Sequence, residues 1–261
     1  MNFFRIFGRA GTPAGTPVAA PVAAPSGAGA AVQSVARTHV GHVRAVNEDR
    51  VLDLPQTRLW AVADGMGGHQ SGDVAAQIAV DALADLANRR QPLCGDDVLA
   101  ALQSANALIF DRYPDARRRS GTTIVAALLV DDRLEIFWAG DSRAYRRQSG
   151  RWDLLTRDHS VVQQMVDAGA LSPSAAAGHP KANVITRALG VDREVAIDRL
   201  VTRFGAGDAV LLCSDGVSRS LSLETAGAAS PETLAQSVLD QALVRDGSDN
   251  ASLVLIVAPG G

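Results

Sequence analysis

The sequence predicts an α+β layered sandwich, in which antiparallel strands form sheets and amphipathic helices cover them. Short apolar runs separated by turn residues recur through the chain, several of them as adjacent pairs. Three other segments show the apolar spacing of helices that pack on a sheet. The chain has 261 residues, of which 47% are hydrophobic, and this is enough for one large core.

The beginning of the chain differs in composition from the rest. Residues 11–31 are almost entirely Ala, Gly, Pro, Thr, Ser and Val, with proline at every fourth position from Pro13 to Pro25. Such a segment buries too little apolar surface to offset the entropy lost on ordering it. We therefore expect residues 1–33 to form a disordered tether and residues 34–259 to form the folded domain.

Strand patterns occur as hairpins and as single apolar runs. Asp131-Asp132 and Ser149-Gly150 are turn signals, and apolar runs flank each of them, so each predicts a hairpin. Three further runs are bounded by Asp-Gly or Asp-Asn pairs. The predicted strands cover residues 59–63, 122–130, 134–139, 144–147, 152–155, 209–213 and 251–257.

Helical periodicity appears in three segments. Apolar residues recur at helical spacing in residues 74–86, 98–109 and 234–239. Ser71 and Ser230 precede the first and third segments and are predicted N-caps. Pro231 then occupies the first turn of the third helix, where its missing N–H costs nothing.

Charge and cysteine content exclude several classes of protein. The net charge is −3, and no basic stripe of the kind that tracks nucleic acid is present, which argues against a two-metal nuclease. Cys94 and Cys213 form neither a disulfide framework nor a C-x-x-C metal motif, so we expect a reducing, cytoplasmic location. No apolar run approaches the roughly 18 residues that a transmembrane helix needs.

Acidic residues fall beside the ends of the predicted strands. Each one alone is ordinary turn chemistry. If those strand ends meet, carboxylates about 4 Å apart would repel each other by about 1–4 kcal/mol, and the cluster would need cations. Oxygen ligands favour Mg²⁺ or Mn²⁺ over zinc. Two such ions can deprotonate a water that they share, and this water can then attack the phosphorus atom of a phosphate group. The acids are Glu48, Asp49, Asp64, Asp215 and Asp249.

Arg44 lies just before the first two acids. A guanidinium there can hold two phosphate oxygens at once and orient the group for in-line attack. The alternative is an ordinary surface arginine.

Eight short motifs follow one another after residue 34. They are RAVNED (44–49), ADGMGGH (63–69), SGTT (120–123), AGDSR (139–143), TRDHS (156–160), ITRALG (185–190), CSDG (213–216) and DN (249–250). Together and in this order they resemble the bacterial members of the metal-dependent protein phosphatase family, also called protein phosphatase 2C-like. The resemblance implies a four-layer αββα sandwich, with two antiparallel sheets packed face to face. It also implies metal-dependent hydrolysis of phosphoserine and phosphothreonine with two Mn²⁺ or Mg²⁺ ions.

The resemblance also implies a role for each site residue. Arg44, Asp64 and Asp215 would be catalytic, and Arg44 would bind the substrate phosphate. Asp64 would bridge both metals. Asp215 and Asp249 would complete the first metal site. Glu48 and the carbonyl of Gly65 would bind the second metal, and Asp49 would hold the water molecules of that metal.

Two positions depart from the family pattern. Members with a third metal use the residue matching Asp141 and an acid at the position held here by Arg219, so we expect the third site to be weak or absent. Animal members place a histidine directly after the Asp-Gly pair, where this chain has Met66. His69 is the candidate general acid, and a water at the metals is the alternative donor.

Two other readings remain open from the sequence. Cys213 and Arg219 have the spacing of a cysteine-dependent phosphatase loop, but Asp215 within it would repel a phosphate dianion. The domain could also be an inactive relative that binds phosphorylated partners. Against this, Asp64, Asp215 and Asp249 are all present.

The family resemblance points to phosphorylated proteins as partners. These would be a bacterial serine/threonine kinase or its target, with a link to type VI secretion in some members. We expect a monomer that binds no nucleic acid.

Overall fold

The computed structural model describes residues 32–67, 71–89, 92–113, 119–176, 178–222, 230–258 and 260. Most of the predicted tether and His69 lie outside this part of the chain. The strands are β1 Gln33–His39, β2 Asp49–Leu54, β3 Leu59–Gly67, β4 Ser120–Thr122, β5 Ile124–Val130, β6 Arg133–Ala139, β7 Arg143–Gln148, β8 Arg151–Leu154, β9 Asp198–Arg203, β10 Ala209–Cys213 and β11 Ala251–Val257. The helices are α1 Gly72–Ala84, α2 Gly95–Arg112, α3 Val161–Asp167, α4 Pro173–Ala176, α5 Asp215–Ser218 and α6 Pro231–Arg245, with a 3₁₀ turn at Asp85–Asn88.

The strands form two antiparallel sheets. One has the order β1-β11-β10-β7-β8, and the other has the order β2-β3-β5-β6-β9 with β4 paired to β3. Both predicted hairpins are confirmed as β5–β6 and β7–β8. Their turns contain Asp131 at φ 55° and Ser149 at φ 51°, which is the left-handed conformation that short hairpin turns require.

Successive side chains of a strand point to opposite faces of the sheet, and β3 shows how this builds the layers. Trp60 and Val62 belong to a buried cluster that joins the two sheets. Leu59, Ala61 and Ala63 belong to a second cluster, which faces helices instead. Each sheet therefore has one face against the other sheet and one face against helices.

Helices cover both outer faces. α1 and α2 pack against the sheet that contains β3, through residues such as Leu83 and Leu102. α6 packs against the other sheet, where Leu234 and Leu239 meet Leu253 of β11. The order of layers is αββα, and the predicted fold class is confirmed. None of the helices that the structure describes is long and apolar enough to cross a membrane.

The two predicted helix caps differ in outcome. Ser230 caps α6, since its Oγ accepts from the Thr233 N–H at 3.2 Å. The prediction of a side-chain cap by Ser71 is wrong, because Ser71 makes no such bond at the start of α1. Its backbone has φ −121° and ψ −2°, which is outside the extended conformation of side-chain caps. Its carbonyl instead accepts from the Ala75 N–H at 3.2 Å.

β3 is longer than the apolar run that predicts it. β4 pairs with its last three residues, from Gly65 opposite Thr122 to Gly67 opposite Ser120. Asp64 therefore lies within a strand and not after its end. The pairing comes from a segment more than fifty residues away, which the local pattern could not indicate.

Candidate active site

A cavity of about 240 Å³ lies at one end of the two sheets and collects most of the predicted site residues. Loops and strand ends that are far apart in sequence form its wall. The predicted residues that line it are Arg44, Glu48, Asp64, Gly65, Asp141, Asp215 and Asp249. Asp49 lies behind them.

Strand pairing explains why these residues meet. β10 and β11 are antiparallel, with Cys213 opposite Leu253, so the end of one strand adjoins the start of the other. Asp215 follows β10 and Asp249 precedes β11, and both therefore fall at the same edge of this sheet. In the second sheet, Asp49 and Asp64 are direct cross-strand partners.

Asp49 connects the two sheets behind the cavity. The Ser214 hydroxyl, next to β10, donates to Asp49 Oδ2 at 2.9 Å. Asp49 is only 3% exposed, and its Oδ1 has no hydrogen-bond partner in the described part of the chain. Burial, with a smaller contribution from the charges of Asp215 and Asp249, raises the pKa of Asp49 to about 7.

The carboxylates in the cavity perturb one another. Burial raises the pKa of Asp64 well above its ordinary value, and the nearby charges of Asp49 and Asp215 add to this. Burial likewise raises the pKa of Asp141 to about 7, with Asp215 as the next contributor. The pKa of Asp215 is also raised by burial, against the opposing effect of Arg219. So many buried acids destabilise the fold unless positive charge compensates them.

Two arginines supply part of that positive charge. Arg44 Nη2 donates to Asp249 Oδ2 at 2.9 Å, and 53% of the Arg44 side chain is exposed. Arg219 forms an ion pair with Asp215, and its Nη1 lies 3.7 Å from Asp249 Oδ2. Two of the acids therefore face guanidinium groups.

The donor set fits hard divalent cations. The five acids that line the cavity and the Gly65 carbonyl offer oxygen atoms, the ligand type that Mg²⁺ and Mn²⁺ prefer. Oδ1 of Asp215, like that of Asp49, is buried and lacks a hydrogen-bond partner among the described residues. Within the part of the chain that the structure describes, no three His, Cys, Asp or Glu side chains are arranged as a formed metal site. The arginine contacts of Asp215 and Asp249 would have to give way to metal ligation.

Two glycines let the cavity wall pack closely. A Cβ on Gly65 would lie 2.2 Å from the carbonyl oxygen of Gly72, and one on Gly216 would lie 2.0 Å from that of Asn250. Both glycines follow a site aspartate directly in sequence. A side chain at Gly65 would push the Asp64 segment away from the start of α1, and one at Gly216 would push the Asp215 segment away from Asn250.

Asn250 is a positioning residue to which the sequence assigned no role. Its Oδ1 accepts from the Glu48 N–H at 2.8 Å, and its Nδ2 donates to the carbonyls of Val40 at 2.8 Å and Val46 at 3.0 Å. Asn250 therefore holds the loop that carries Arg44. Its place directly after Asp249 in the last motif was the available signal.

Replacing Asn250 with alanine is expected to lower the free energy of unfolding by about 2–4 kcal/mol, because three hydrogen bonds to the 40–48 loop are lost. Urea denaturation followed by tryptophan fluorescence measures this. Gln241→Ala in α6 is the matched control. Its side chain is half-buried and donates to Ser237 Oγ at 3.4 Å, so stability should change by less than about 0.5 kcal/mol. A loss in Asn250→Ala as small as that of the control would contradict the assigned role.

The structure does not support the cysteine-phosphatase alternative. Cys213 is fully buried in β10 and does not line the cavity. Burial raises the pKa of its thiol to about 12, so the nucleophilic thiolate is disfavoured.

His159 also lies outside the cavity wall and has a structural role, because its Nδ1 accepts a hydrogen bond from the Gly140 N–H at 3.1 Å.

Comparison with known proteins agrees with this geometry. The family model described as protein phosphatase 2C matches residues 38–246. The serine/threonine protein phosphatase PstP of Mycobacterium tuberculosis is 40% identical over 231 residues, which is 84% of this chain. The chain spans 44% of the length of that relative.

Two solved structures are similar over nearly their whole length. The catalytic domain of PstP in complex with two manganese ions has a TM-score of 0.79 at 34% identity, covering 87% of this chain and 98% of that one. PppA, a regulatory component of the type VI secretion system in Pseudomonas aeruginosa, has a TM-score of 0.78 at 32% identity, covering 87% and 97%. The fold, the acidic cavity and these similarities lead to one conclusion: the chain belongs to the protein phosphatase 2C family.

Proposed function

We propose that this protein hydrolyses phosphoserine and phosphothreonine in other proteins, using two Mn²⁺ or Mg²⁺ ions. The observation that carries the proposal is the convergence of five carboxylates and Arg44 on one cavity. Oδ1 of Asp215 in that wall and Oδ1 of Asp49 behind it are buried and have no hydrogen-bond partner among the described residues, which suits metal ligation. The similar protein PstP is a serine/threonine protein phosphatase, and its catalytic domain has been solved in complex with two manganese ions.

We assign the ligands by their place in the cavity and by family resemblance. Asp64 would serve both ions. Asp215 and Asp249 would hold the first ion, Glu48 and the Gly65 carbonyl would hold the second, and Asp49 would act on the second from behind the cavity wall. Asp141 would belong to a third ion, and we propose that Arg219 keeps that site weak or absent.

When bound, the cations supply positive charge that activates water and neutralises phosphate oxygens. The residues of the chain bind the substrate phosphate and hold the cavity wall in place. Arg44 binds the substrate phosphate with its planar fork, and in the metal-free chain its contact with Asp249 holds the guanidinium at the cavity. Asn250 fixes the Glu48 backbone, so the phosphate-binding loop and the acids keep one relative position. His69 as general acid stays a prediction.

The same proposal extends to partners and location. The substrate would be a bacterial serine/threonine kinase or a target of that kinase. The similarity to PppA supports a link with type VI secretion. Cys94 and Cys213 are both free thiols, which supports a reducing cytoplasm. We propose that the protein acts there as a monomer.

The proposal is tested with a phosphothreonine peptide. Phosphate release is expected with Mn²⁺ and should be lost with a chelator. Asp215→Asn should lower the rate at least about 100-fold, because a neutral amide binds a cation far less well than a carboxylate. Asp240→Asn, on the exposed face of α6, is the matched control and should behave as wild type.

Two outcomes would count against the proposal. Activity that survives both metal removal and the Asp215 substitution would contradict it. A protein that binds the peptide but releases no phosphate with Mn²⁺, Mg²⁺ or Ca²⁺ would instead favour an inactive domain that binds phosphorylated partners.

A further inference from the structure

Arg219 brings positive charge into the acidic cavity from the end of α5. Its backbone N–H donates to the Asp215 carbonyl at 3.0 Å, which keeps its side chain one helical turn from that residue. Its guanidinium pairs with Asp215 and lies 3.7 Å from Asp249. The Arg219 guanidinium therefore contacts two of the carboxylates that the proposed function assigns to a metal ion.

Arg219 shares one of these acids with the substrate-binding arginine. Arg44 Nη2 and Arg219 Nη1 lie 2.9 Å and 3.7 Å from the same oxygen, Asp249 Oδ2. Of the described residues that line the cavity, these two are the cationic ones, against five acids. A cation that takes Asp215 or Asp249 as a ligand must therefore compete with these arginines for that carboxylate.

A second cavity gives the Arg219 side chain another environment. This cavity, of about 420 Å³, lies beneath α3 and α4, and Asp141, Asn183, Asp215 and Arg219 line both it and the acidic cavity. The Arg219 side chain is 31% exposed. Its guanidinium therefore borders open space in both cavities and is not enclosed by packed side chains.

We propose that Arg219 is a second phosphate-binding residue, which Asp215 and Asp249 hold until divalent cations take those carboxylates. The inference rests on the proposed two-cation function. A carboxylate that ligates a cation loses most of its attraction for a guanidinium. The released guanidinium has the planar fork that matches two phosphate oxygens.

This arrangement couples metal binding to phosphate binding. Arg219 opposes the cations, because they must displace it, and it favours phosphate once they have done so. Removing its charge should therefore shift the two affinities in opposite directions. A residue that only stabilises the fold would weaken both or change neither.

The first measurement is calorimetric titration of Mn²⁺ into the metal-free chain. Arg219→Gln is expected to bind Mn²⁺ about tenfold more tightly than wild type, because no ion pair has to be broken. The second measurement is inhibition of the Mn²⁺-saturated enzyme by inorganic phosphate, which should become about tenfold weaker in the same variant.

Arg89→Gln is the matched control. Arg89 pairs with Asp97 at 2.6 Å and does not line either cavity. It should leave both constants as in wild type. Arg219→Lys keeps the charge without the planar fork, so it should bind Mn²⁺ like wild type and phosphate more weakly.

Several results would overturn the inference. One is an Arg219→Gln variant with unchanged or weaker Mn²⁺ binding. Another is a phosphate inhibition constant that neither Arg219 substitution alters. If wild type binds Mn²⁺ and hydrolyses the peptide while the variants show these results, only the role of Arg219 fails. If wild type binds no Mn²⁺, the proposed function fails as well.

Discussion

Replacing Asp64 with asparagine is expected to abolish turnover and, at the same time, to stabilise the metal-free protein. Turnover should fall about 1,000-fold or more, because the proposed bridging ligand loses its charge. The free energy of unfolding without metal should rise by about 1–4 kcal/mol, since Asp64 is buried among other carboxylates that repel it. Opposite effects on activity and stability are typical of a functional charge cluster.

The stability gain should depend on pH in a defined direction. The folded protein retains the Asp64 proton at pH values where the unfolded chain, with an ordinary carboxyl pKa of about 4, has released it. The stability of metal-free wild type therefore falls as pH rises from about 4 through the raised pKa. The advantage of Asp64→Asn should be large at pH 7 and should shrink as the pH approaches 4.

Thermal unfolding in a chelating buffer, at several pH values, measures this difference. Adding Mn²⁺ should then raise the melting temperature of wild type more than that of Asp64→Asn, because a ligand stabilises the state that binds it. Asp240→Asn should follow wild type in every condition. An Asp64→Asn variant that is less stable than wild type without metal at pH 7 would contradict the charge-cluster interpretation.

Replacing Phe137 with alanine is expected to lower the free energy of unfolding by about 3–5 kcal/mol. Phe137 lies in β6, is fully buried, and belongs to the cluster between its sheet and α1 and α2. Its loss leaves a cavity that the surrounding strands cannot close. Because a domain of this kind has only about 5–15 kcal/mol of stability, the variant should unfold at much lower urea concentrations.

Val201→Ala is the matched control for Phe137. Val201 lies on the adjacent strand β9 and is 43% exposed, so its truncation should cost less than about 1 kcal/mol. Urea titrations of both variants measure the difference. Similar losses in the two variants would show that Phe137 does not carry the packing of this layer.

The sequence by itself determined the class of the fold and predicted the acidic residues that line the cavity. The hairpin turns at Asp131 and Ser149 follow from local backbone preferences, which a few neighbouring residues decide. The layers follow from continuous apolar runs such as residues 59–63 of β3, which are all buried, because a strand covered on both faces needs apolar side chains on both. Acids beside several strand ends indicated oxygen ligation, because carboxylates that meet at one edge repel one another unless cations compensate them.

Only the tertiary structure decided which groups meet. The contact of Arg44 with Asp249 joins residues 205 positions apart, and that of Ser214 with Asp49 joins residues 165 apart. Neither contact leaves a local pattern, since each depends on how β2, β10 and β11 come together. The raised pKa values of the acids and the position of Arg219 between Asp215 and Asp249 have the same origin. The burial of a carboxylate and the charges that act on it depend on all residues that surround it in space. Those residues come from distant parts of the chain and become neighbours only when the chain folds.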